Sequence, residues 1–272
     1  MNIGWWCTAL ESPWTWAWVA YPAIWAAALA PLVAYHLAMR RRGESADETG
    51  RQRLWFTFGI LAFWVASDWP LGTLGAGYLA SAHMLQYLLY ILVAAPLLLL
   101  GIPEWMARRI VERLRMYRLL KGLSSRLLLT GIIFNIVLVG SHAPVTVDLL
   151  RTSAIGSFAM DFLWLASGLL LWLPLAAPLP ELRNPSYPAR MVYLFAATGI
   201  VAILPASFLT FSVFPLYRIY ELAPRVNGIA AIDDQQMAGL IMKLGMLPVI
   251  WSVLAVQWFR WANTEPALRV RT

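Results

Sequence analysis

The stretch LASAHMLQYLLYILVAAPLLLLGI, residues 79–102, decides the fold of this chain. These 24 residues contain no Asp, Glu, Lys or Arg, and the apolar run is continuous rather than alternating. A hydrocarbon core of about 30 Å takes about 20 helical residues to cross. A helix pairs every backbone group within such a run, whereas a β-barrel strand alternates apolar and polar residues. The stretch therefore predicts a transmembrane α-helix.

Six further stretches are also long and predominantly apolar. The whole chain of 272 residues is 60% hydrophobic and 13% charged and holds 15 Trp, which leaves too little polar surface for a water-soluble protein. We therefore predict an all-α membrane protein, a seven-transmembrane-helix bundle that forms a single polytopic membrane domain over residues 1–272. The predicted spans are residues 15–38, 54–71, 79–102, 127–145, 157–179, 191–214 and 237–259.

The segment 104–121 has a different pattern. Its apolar side chains recur every three or four residues, with arginines between them. This spacing is typical of an amphipathic helix that lies on the membrane surface. We expect an interfacial helix on the cytoplasmic side. The apolar positions are Met106, Ile110, Leu114, Tyr117 and Leu120.

The distribution of Lys and Arg sets the predicted orientation, because basic loops near helix ends stay on the cytoplasmic side. Placing the N-terminus outside and the C-terminus in the cytoplasm puts 17 of the 21 basic residues inside. The net charge of +7 then reflects topology and anionic inner-leaflet lipid, and a nucleic-acid partner is not needed. The inner residues are Arg40, Arg41, Arg42, Arg51, Arg53, Arg108, Arg109, Arg113, Arg115, Arg118, Lys121, Arg126, Arg183, Arg190, Arg260, Arg269 and Arg271.

Side chains that suit a soft metal ion gather at the predicted outer ends of the spans. Imidazole and thioether groups bind Cu(I), whereas hard cations prefer several oxygen ligands. The candidates are His83 and Met84 in the third span, His142 at the end of the fourth and Met242 in the seventh. We predict that these four residues bind Cu(I) on the outer face. The alternative for each methionine is packing in the core.

The fifth and seventh predicted spans each contain a charged residue near the outer end. Asp161 is in the fifth span and Lys243 is in the seventh. Ionisable groups at membrane depth are usually paired or face a wet cavity. We therefore expect an ion pair between Asp161 and Lys243. The alternative is that each side chain reaches the headgroup region separately.

Catalytic motifs are missing from the sequence. It contains no Ser-His-Asp arrangement, phosphate-binding glycine loop, HExxH or CxxC element. We do not expect an enzyme. The single cysteine, Cys7, cannot form an intramolecular disulfide, and we interpret it as an incidental thiol.

Three blocks of sequence resemble those of the CtaG-type cytochrome c oxidase assembly proteins. The first comprises SDWPL at 67–71, YLASAHMLQ at 78–86 and APLLLLGIP at 95–103. The second is WLASGLLLWLP at 164–174, and the third is PLY at 215–217 with DQQMAGLIM at 234–242. The resemblance implies a polytopic bacterial inner-membrane protein that takes part in the maturation of haem-copper oxidases and in copper supply.

The chain departs from the family pattern at four positions on the proposed metal face. The resemblance places a second histidine where this chain has Tyr87, and a Trp before His142 where it has Ser141. It also implies a histidine at Asp161 and a Trp at Lys243. A cation beside a Cu(I) site would oppose binding, whereas paired charges could neutralise each other there.

Two functions remain open on these observations. The first is an assembly factor that captures Cu(I) on the outer face and passes it to a subunit of a haem-copper oxidase. The second is a metal-free structural or accessory membrane subunit of a respiratory complex, derived from such a factor. The retained His83, Met84 and Met242 favour the first, and Tyr87, Asp161 and Lys243 favour the second. In both, the partners are membrane lipid and membrane subunits of the respiratory complex.

Overall fold

The apolar segments are α-helices in the computed structural model, which describes residues 4–9, 11–43 and 46–264. Arg269 and Arg271, and both ends of the predicted domain 1–272, lie outside the described residues. No strand occurs in the part of the chain that is described. The α-helices of that part are α1 Pro22–Arg41, α2 Ala46–Ser67, α3 Leu71–Gly77, α4 Ala80–Gly101, α5 Glu104–Arg113, α6 Tyr117–Ser125, α7 Leu127–Ser141, α8 Pro144–Leu150, α9 Ala154–Ala176, α10 Tyr187–Phe211, α11 Arg218–Leu222 and α12 Ala231–Thr264.

Five of these helices are long and apolar enough to cross a membrane by themselves: α1, α4, α9, α10 and α12. Two bent pairs raise the number of candidate spans to seven if each pair counts as one span. The helices α2 and α3 meet at 45°, and α6 and α7 meet at 99°. The structure therefore has between five and seven candidate membrane spans among the described residues.

The first helix begins later than the sequence predicts. The predicted span starts at residue 15, but α1 starts at Pro22 and the residues just before it have no regular structure. Tyr21 has φ −120° and ψ 85°, outside the helical region, because the residue before a proline avoids that region. The fixed φ of Pro22 suits the first position of a helix.

The predicted interfacial helix over 104–121 is two helices, α5 and α6, with a break after Arg113. Arg115 has φ 54°, a left-handed conformation that cannot continue a right-handed helix. The Met116 N–H bonds back to the Val111 carbonyl at 3.0 Å, in the manner of a helix C-terminal cap. The apolar spacing that predicted one helix does not register this change of backbone conformation.

The helix α4 is wound more loosely between Leu89 and Ala94, where it makes a π-helical turn before Pro96. Pro96 has no N–H, so carbonyl groups in this turn lack a helical partner. The Ile91 carbonyl accepts instead from Trp172 Nε1 of α9 at 2.6 Å. This bond joins α4 to α9.

Two glycines allow close contacts between helices. A Cβ at Gly101 of α4 would lie 2.3 Å from the backbone nitrogen of Phe56 in α2. A Cβ at Gly239 of α12 would lie 2.7 Å from the carbonyl oxygen of Ala206 in α10. Small residues at such positions let helix backbones approach each other closely.

The last helix, α12, shows how the bundle divides its apolar residues. One face is buried in the main hydrophobic core, which also takes in α1, α2, α4 and α9. The opposite face exposes large apolar side chains, as expected where lipid replaces water. The buried residues include Ala238, Met242, Met246, Ile250 and Leu254, and the exposed ones include Leu240, Leu244, Trp251, Trp258 and Phe259.

Candidate metal centre

Two histidines meet at one end of the bundle. His83 lies in the first turn of α4, and His142 directly follows α7. Their ring centroids are 5.9 Å apart, the ring planes cross at 86°, and both side chains are buried. Asp234 of α12 accepts from the backbone N–H groups of Ala80 at 2.6 Å and Ser81 at 3.3 Å. This carboxylate fixes the start of α4, and with it the position of His83.

Hydrogen bonds determine which ring nitrogens are available. The Tyr220 hydroxyl donates to the Gly75 carbonyl at 2.6 Å, so it accepts from Nδ1–H of His83 at 2.8 Å. Nδ1 of His142 lies 2.7 Å from the Leu138 carbonyl, which can only accept. Each ring therefore carries its proton on Nδ1. Both Nε2 atoms are buried and make no hydrogen bond among the described residues.

Aromatic rings enclose the two histidines. Trp164 of α9 lies nearly perpendicular to the His83 ring, with centroids 4.7 Å apart, and stacks on His142 at 5.7 Å. Tyr87, four residues after His83, meets His142 edge-on at 4.6 Å. The Tyr87 hydroxyl is buried and has no hydrogen-bond partner in the described part of the chain. The two Nε2 lone pairs and this hydroxyl are unsatisfied polar atoms in an aromatic environment.

A buried ion pair borders this centre. Arg151 follows α8, and its guanidinium lies 3.0 Å from Asp161 of α9, with both side chains buried. The Asp161 carboxylate also accepts from Trp6 Nε1 at 2.9 Å. The Arg151 guanidinium carbon is 5.1 Å from the centroid of the Trp164 ring, on its face. The pair places no net charge beside the histidines.

Two tyrosines of the connection between α10 and α12 cover the histidines. The Tyr217 hydroxyl donates to the His142 carbonyl at 2.9 Å, as Tyr220 contacts the His83 ring. Burial raises the pKa of both phenols, so each keeps the proton that it donates. Tyr220 lies in the short helix α11 and Tyr217 directly precedes that helix, so this segment packs against both histidines.

The segment before α1 covers the ion pair. Its Ala9 N–H donates to the Arg151 carbonyl at 3.0 Å, and Trp6 contacts Asp161. Cys7 is buried beside it, with its thiol 3.3 Å from the Ser67 carbonyl. Burial raises the pKa of the Cys7 thiol, which keeps the sulfur protonated. Cys7 therefore lies in the cover over the ion pair, and its sulfur packs away from solvent.

The family model of the cytochrome c oxidase caa3 assembly factor matches residues 8–264. The chain belongs to the caa3 assembly factor family. Comparison with curated proteins and with solved structures gave no match. Membership confirms the resemblance that the three sequence blocks indicate, and the matched range includes both histidines and the ion pair.

The four metal ligands predicted for this member of the caa3 assembly factor family form two pairs in different surroundings. His83 and His142 are neighbours. Met84 of α4 and Met242 of α12 are completely buried in the main hydrophobic core. Among residues 4–9, 11–43 and 46–264, no three His, Cys, Asp or Glu side chains form a metal-binding group. The histidine pair is thus the centre on which a soft metal could be held.

The expected ion pair of Asp161 and Lys243 is replaced by that of Asp161 and Arg151. Lys243 follows Met242 on α12 and is exposed, because one residue turns about 100° from the buried face. Arg151 is not among the 17 basic residues that the predicted orientation places inside, and the sequence analysis gives it no partner. It is the single basic residue between Arg126 and Arg183, and this isolation was the signal that could have identified it.

Sequence reasoning also missed Tyr220, Trp164 and Trp6. These side chains come from α11, α9 and the segment before α1, which are far apart in the sequence. Tyr and Trp are common near membrane interfaces, so their residue types alone give little sign of a site. Only the packing of the three segments shows that they surround one centre.

Proposed function

We propose that this protein is a membrane-embedded assembly factor for a haem-copper cytochrome c oxidase, and that it handles Cu(I) as cargo on the outer face of the membrane. The pair of buried Nε2 atoms on His83 and His142 carries this proposal. An unsatisfied buried acceptor destabilises a fold by about 1–3 kcal/mol, so two of them on neighbouring rings favour a ligand. Imidazole nitrogen suits Cu(I).

The partners of Nδ1 support the same proposal. Metal-binding histidines commonly donate the other ring N–H to a protein oxygen, which fixes the tautomer and the ring orientation. Tyr220 and the Leu138 carbonyl act in this way on His83 and His142. We propose Met84 and Met242 as the thioether ligands that would complete the set.

The charge beside the histidines bears on the choice of metal. Arg151 would repel a cation, but its pairing with Asp161 leaves no net charge. The proposed ligands are neutral imidazoles and thioethers. A neutral set of soft ligands suits a monovalent ion such as Cu(I) better than a divalent hard cation.

We infer seven spans, with the N-terminus outside and the C-terminus in the cytoplasm. In this arrangement the bent pair of α2 and α3 forms the second span, and α7 forms the fourth, with α6 turned along the membrane surface by the 99° bend. The basic residues then collect on one side, as the positive-inside rule requires. The histidines lie at the opposite, outer ends. The membrane would be the bacterial plasma membrane, and the partners would be lipid and the membrane subunits of the oxidase.

A metal-free structural or accessory subunit of a respiratory complex is the second candidate. Tyr87 and the Asp161 pair favour it, because the family resemblance implies histidines at these two positions. In this case the covered centre would serve to hold α4, α7 and α9 together. In either case we propose a role in assembly rather than in catalysis.

Copper binding by the purified protein tests the proposal. Detergent-solubilised protein is loaded anaerobically with Cu(I), and the bound copper is measured with a competing chelator. We expect about one tightly held copper, lost in the His83→Ala, His142→Ala double variant. His36→Ala is the matched control, because His36 lies on α1 and contacts Thr57 at 3.3 Å. A well-folded native protein without specific copper would favour the metal-free subunit.

Variants of the two covering tyrosines test how the histidines are positioned. Tyr220→Phe removes the oxygen that accepts from the His83 ring, and we expect Cu(I) affinity to fall about 10- to 100-fold. Tyr217→Phe removes a bond to the His142 backbone and should leave affinity nearly unchanged. Chelator competition and thermal unfolding are measured on both variants. Equal affinities in the two would contradict the role given to Tyr220.

A deletion strain separates the two functions in the cell. If copper supply is the defect, excess copper in the medium should restore oxidase activity. If the chain is a structural subunit, added copper should leave the activity low. Oxidase activity and the copper content of the purified oxidase are the two readouts.

A further inference from the structure

A groove of about 600 Å³ lies at the end of the bundle opposite the histidines, between α2, α4, α9 and α12. Its walls are apolar and include Leu100, Trp172 and Val253. The residues of α12 that line it extend from Val249 to Arg260, which corresponds to about 16 Å along a helix. This length and lining suit a hydrocarbon chain.

The mouth of the groove is polar and positively charged. Arg51 of α2 and Arg260 of α12 line it, and both are exposed. Gln257 also lines it and is buried, at 6% exposure. The Gln257 Oε1 atom is buried and makes no hydrogen bond within the described residues. The mouth thus offers two cations for an anion and one acceptor that lacks a donor.

We infer that this groove binds one anionic phospholipid whose headgroup carries hydroxyl groups, of the phosphatidylglycerol type. An acyl chain would lie along Trp172 and Val253, and the phosphate would lie between Arg51 and Arg260. Arginine forms strong charge-assisted hydrogen bonds with phosphate oxygens. A headgroup hydroxyl would donate to Gln257. The site does not depend on copper binding, because it lies at the other end of the helices.

Native mass spectrometry of the full chain tests the inference. The purified protein is exchanged into detergent with phosphatidylglycerol, phosphatidic acid or phosphatidylcholine, and the retained lipids are counted. We expect one phosphatidylglycerol to be retained in preference to phosphatidylcholine. Arg51→Gln with Arg260→Gln should lower its retention roughly tenfold. Arg113→Gln with Arg118→Gln removes the same charge from exposed residues outside the groove and should have no effect.

Two further variants test the groove itself. Gln257→Leu keeps the charge and should lower retention of phosphatidylglycerol more than that of phosphatidic acid, which lacks the alcohol hydroxyls of the glycerol headgroup. Val253→Trp fills the groove and should lower retention of both lipids. Equal retention of phosphatidylglycerol and phosphatidylcholine by the native protein would overturn the inference. Undiminished retention by the Arg51, Arg260 variant or by Val253→Trp would also overturn it.

Discussion

Arg151 and Asp161 form a buried pair whose two charges depend on each other. Isolated charges are strongly disfavoured in a protein interior, and removing one member of such a pair leaves the other uncompensated. Arg151 is 0% exposed and Asp161 is 1% exposed, so water cannot take the place of a missing partner. A single substitution at Arg151 or Asp161 should therefore lower stability more than a substitution of an exposed charged residue.

We predict that Arg151→Met lowers the free energy of unfolding by about 3–5 kcal/mol. Lys243→Met, which removes an exposed charge, should change it by no more than about 0.5 kcal/mol. Arg151→Met combined with Asp161→Asn should recover part of the loss, because the amide is neutral and can still accept from Trp6. Denaturant unfolding in detergent measures all three. A larger loss of stability for Lys243→Met than for Arg151→Met would instead support an ion pair between Asp161 and Lys243.

The sequence predicted individual site residues only where the residue type is rare at membrane depth. His83 and His142 stood out for that reason, and the structure brings them together. The partner of Asp161 was missed because two basic residues were available, Lys243 and Arg151. Choosing between them requires the direction of each side chain, and this depends on tertiary packing.

At the scale of the helices, hydropathy predicted most elements closely. The predicted span 79–102 compares with α4 at Ala80–Gly101, and 157–179 compares with α9 at Ala154–Ala176. The errors occur where the backbone conformation changes without a change in hydropathy. Pro22 delays α1, and the left-handed Arg115 divides the interfacial segment.

The contact between α2 and α4 provides a prediction at this scale. Gly101→Ala should lower stability by about 1–3 kcal/mol, because the added methyl group would press on the backbone of Phe56. Gly140→Ala in α7 is the matched control, since a Cβ there meets nothing within 4 Å. That control should be neutral or slightly stabilising. Thermal unfolding of the two variants in the same detergent makes the comparison, and equal melting temperatures would contradict the close contact.

For the whole molecule, the apolar helices indicate a membrane protein, and the family model places the chain in a family of cytochrome c oxidase assembly factors. The number of spans is less well determined by the sequence, because two of the candidate spans are pairs of helices bent at a break. A hydropathy window averages over such a break. The residues that surround the histidines come from α4, α7, α9 and α11. Their proximity depends on how these helices pack, so it could not be predicted from the sequence.

The proposed orientation predicts which cysteines an impermeant reagent can reach. In a Cys7→Ala background, Leu222→Cys in the connection before α12 should be labelled by an impermeant maleimide on intact cells. Glu112→Cys in α5 should be labelled only after the membrane is opened. Both native side chains are exposed, so accessibility within the protein is matched. Labelling of Glu112→Cys on intact cells would reverse the orientation.

The alkylation rate of the Cys7 thiol can report local opening of the native chain. Cys7 carries the only thiol of the protein, and it lies buried beside Trp6, which holds Asp161. The raised pKa and the burial of its sulfur both slow alkylation in the closed state. The rate at which a small alkylating reagent consumes the thiol therefore reports how often the segment before α1 lifts from the ion pair. Measuring that rate requires no substitution in the chain.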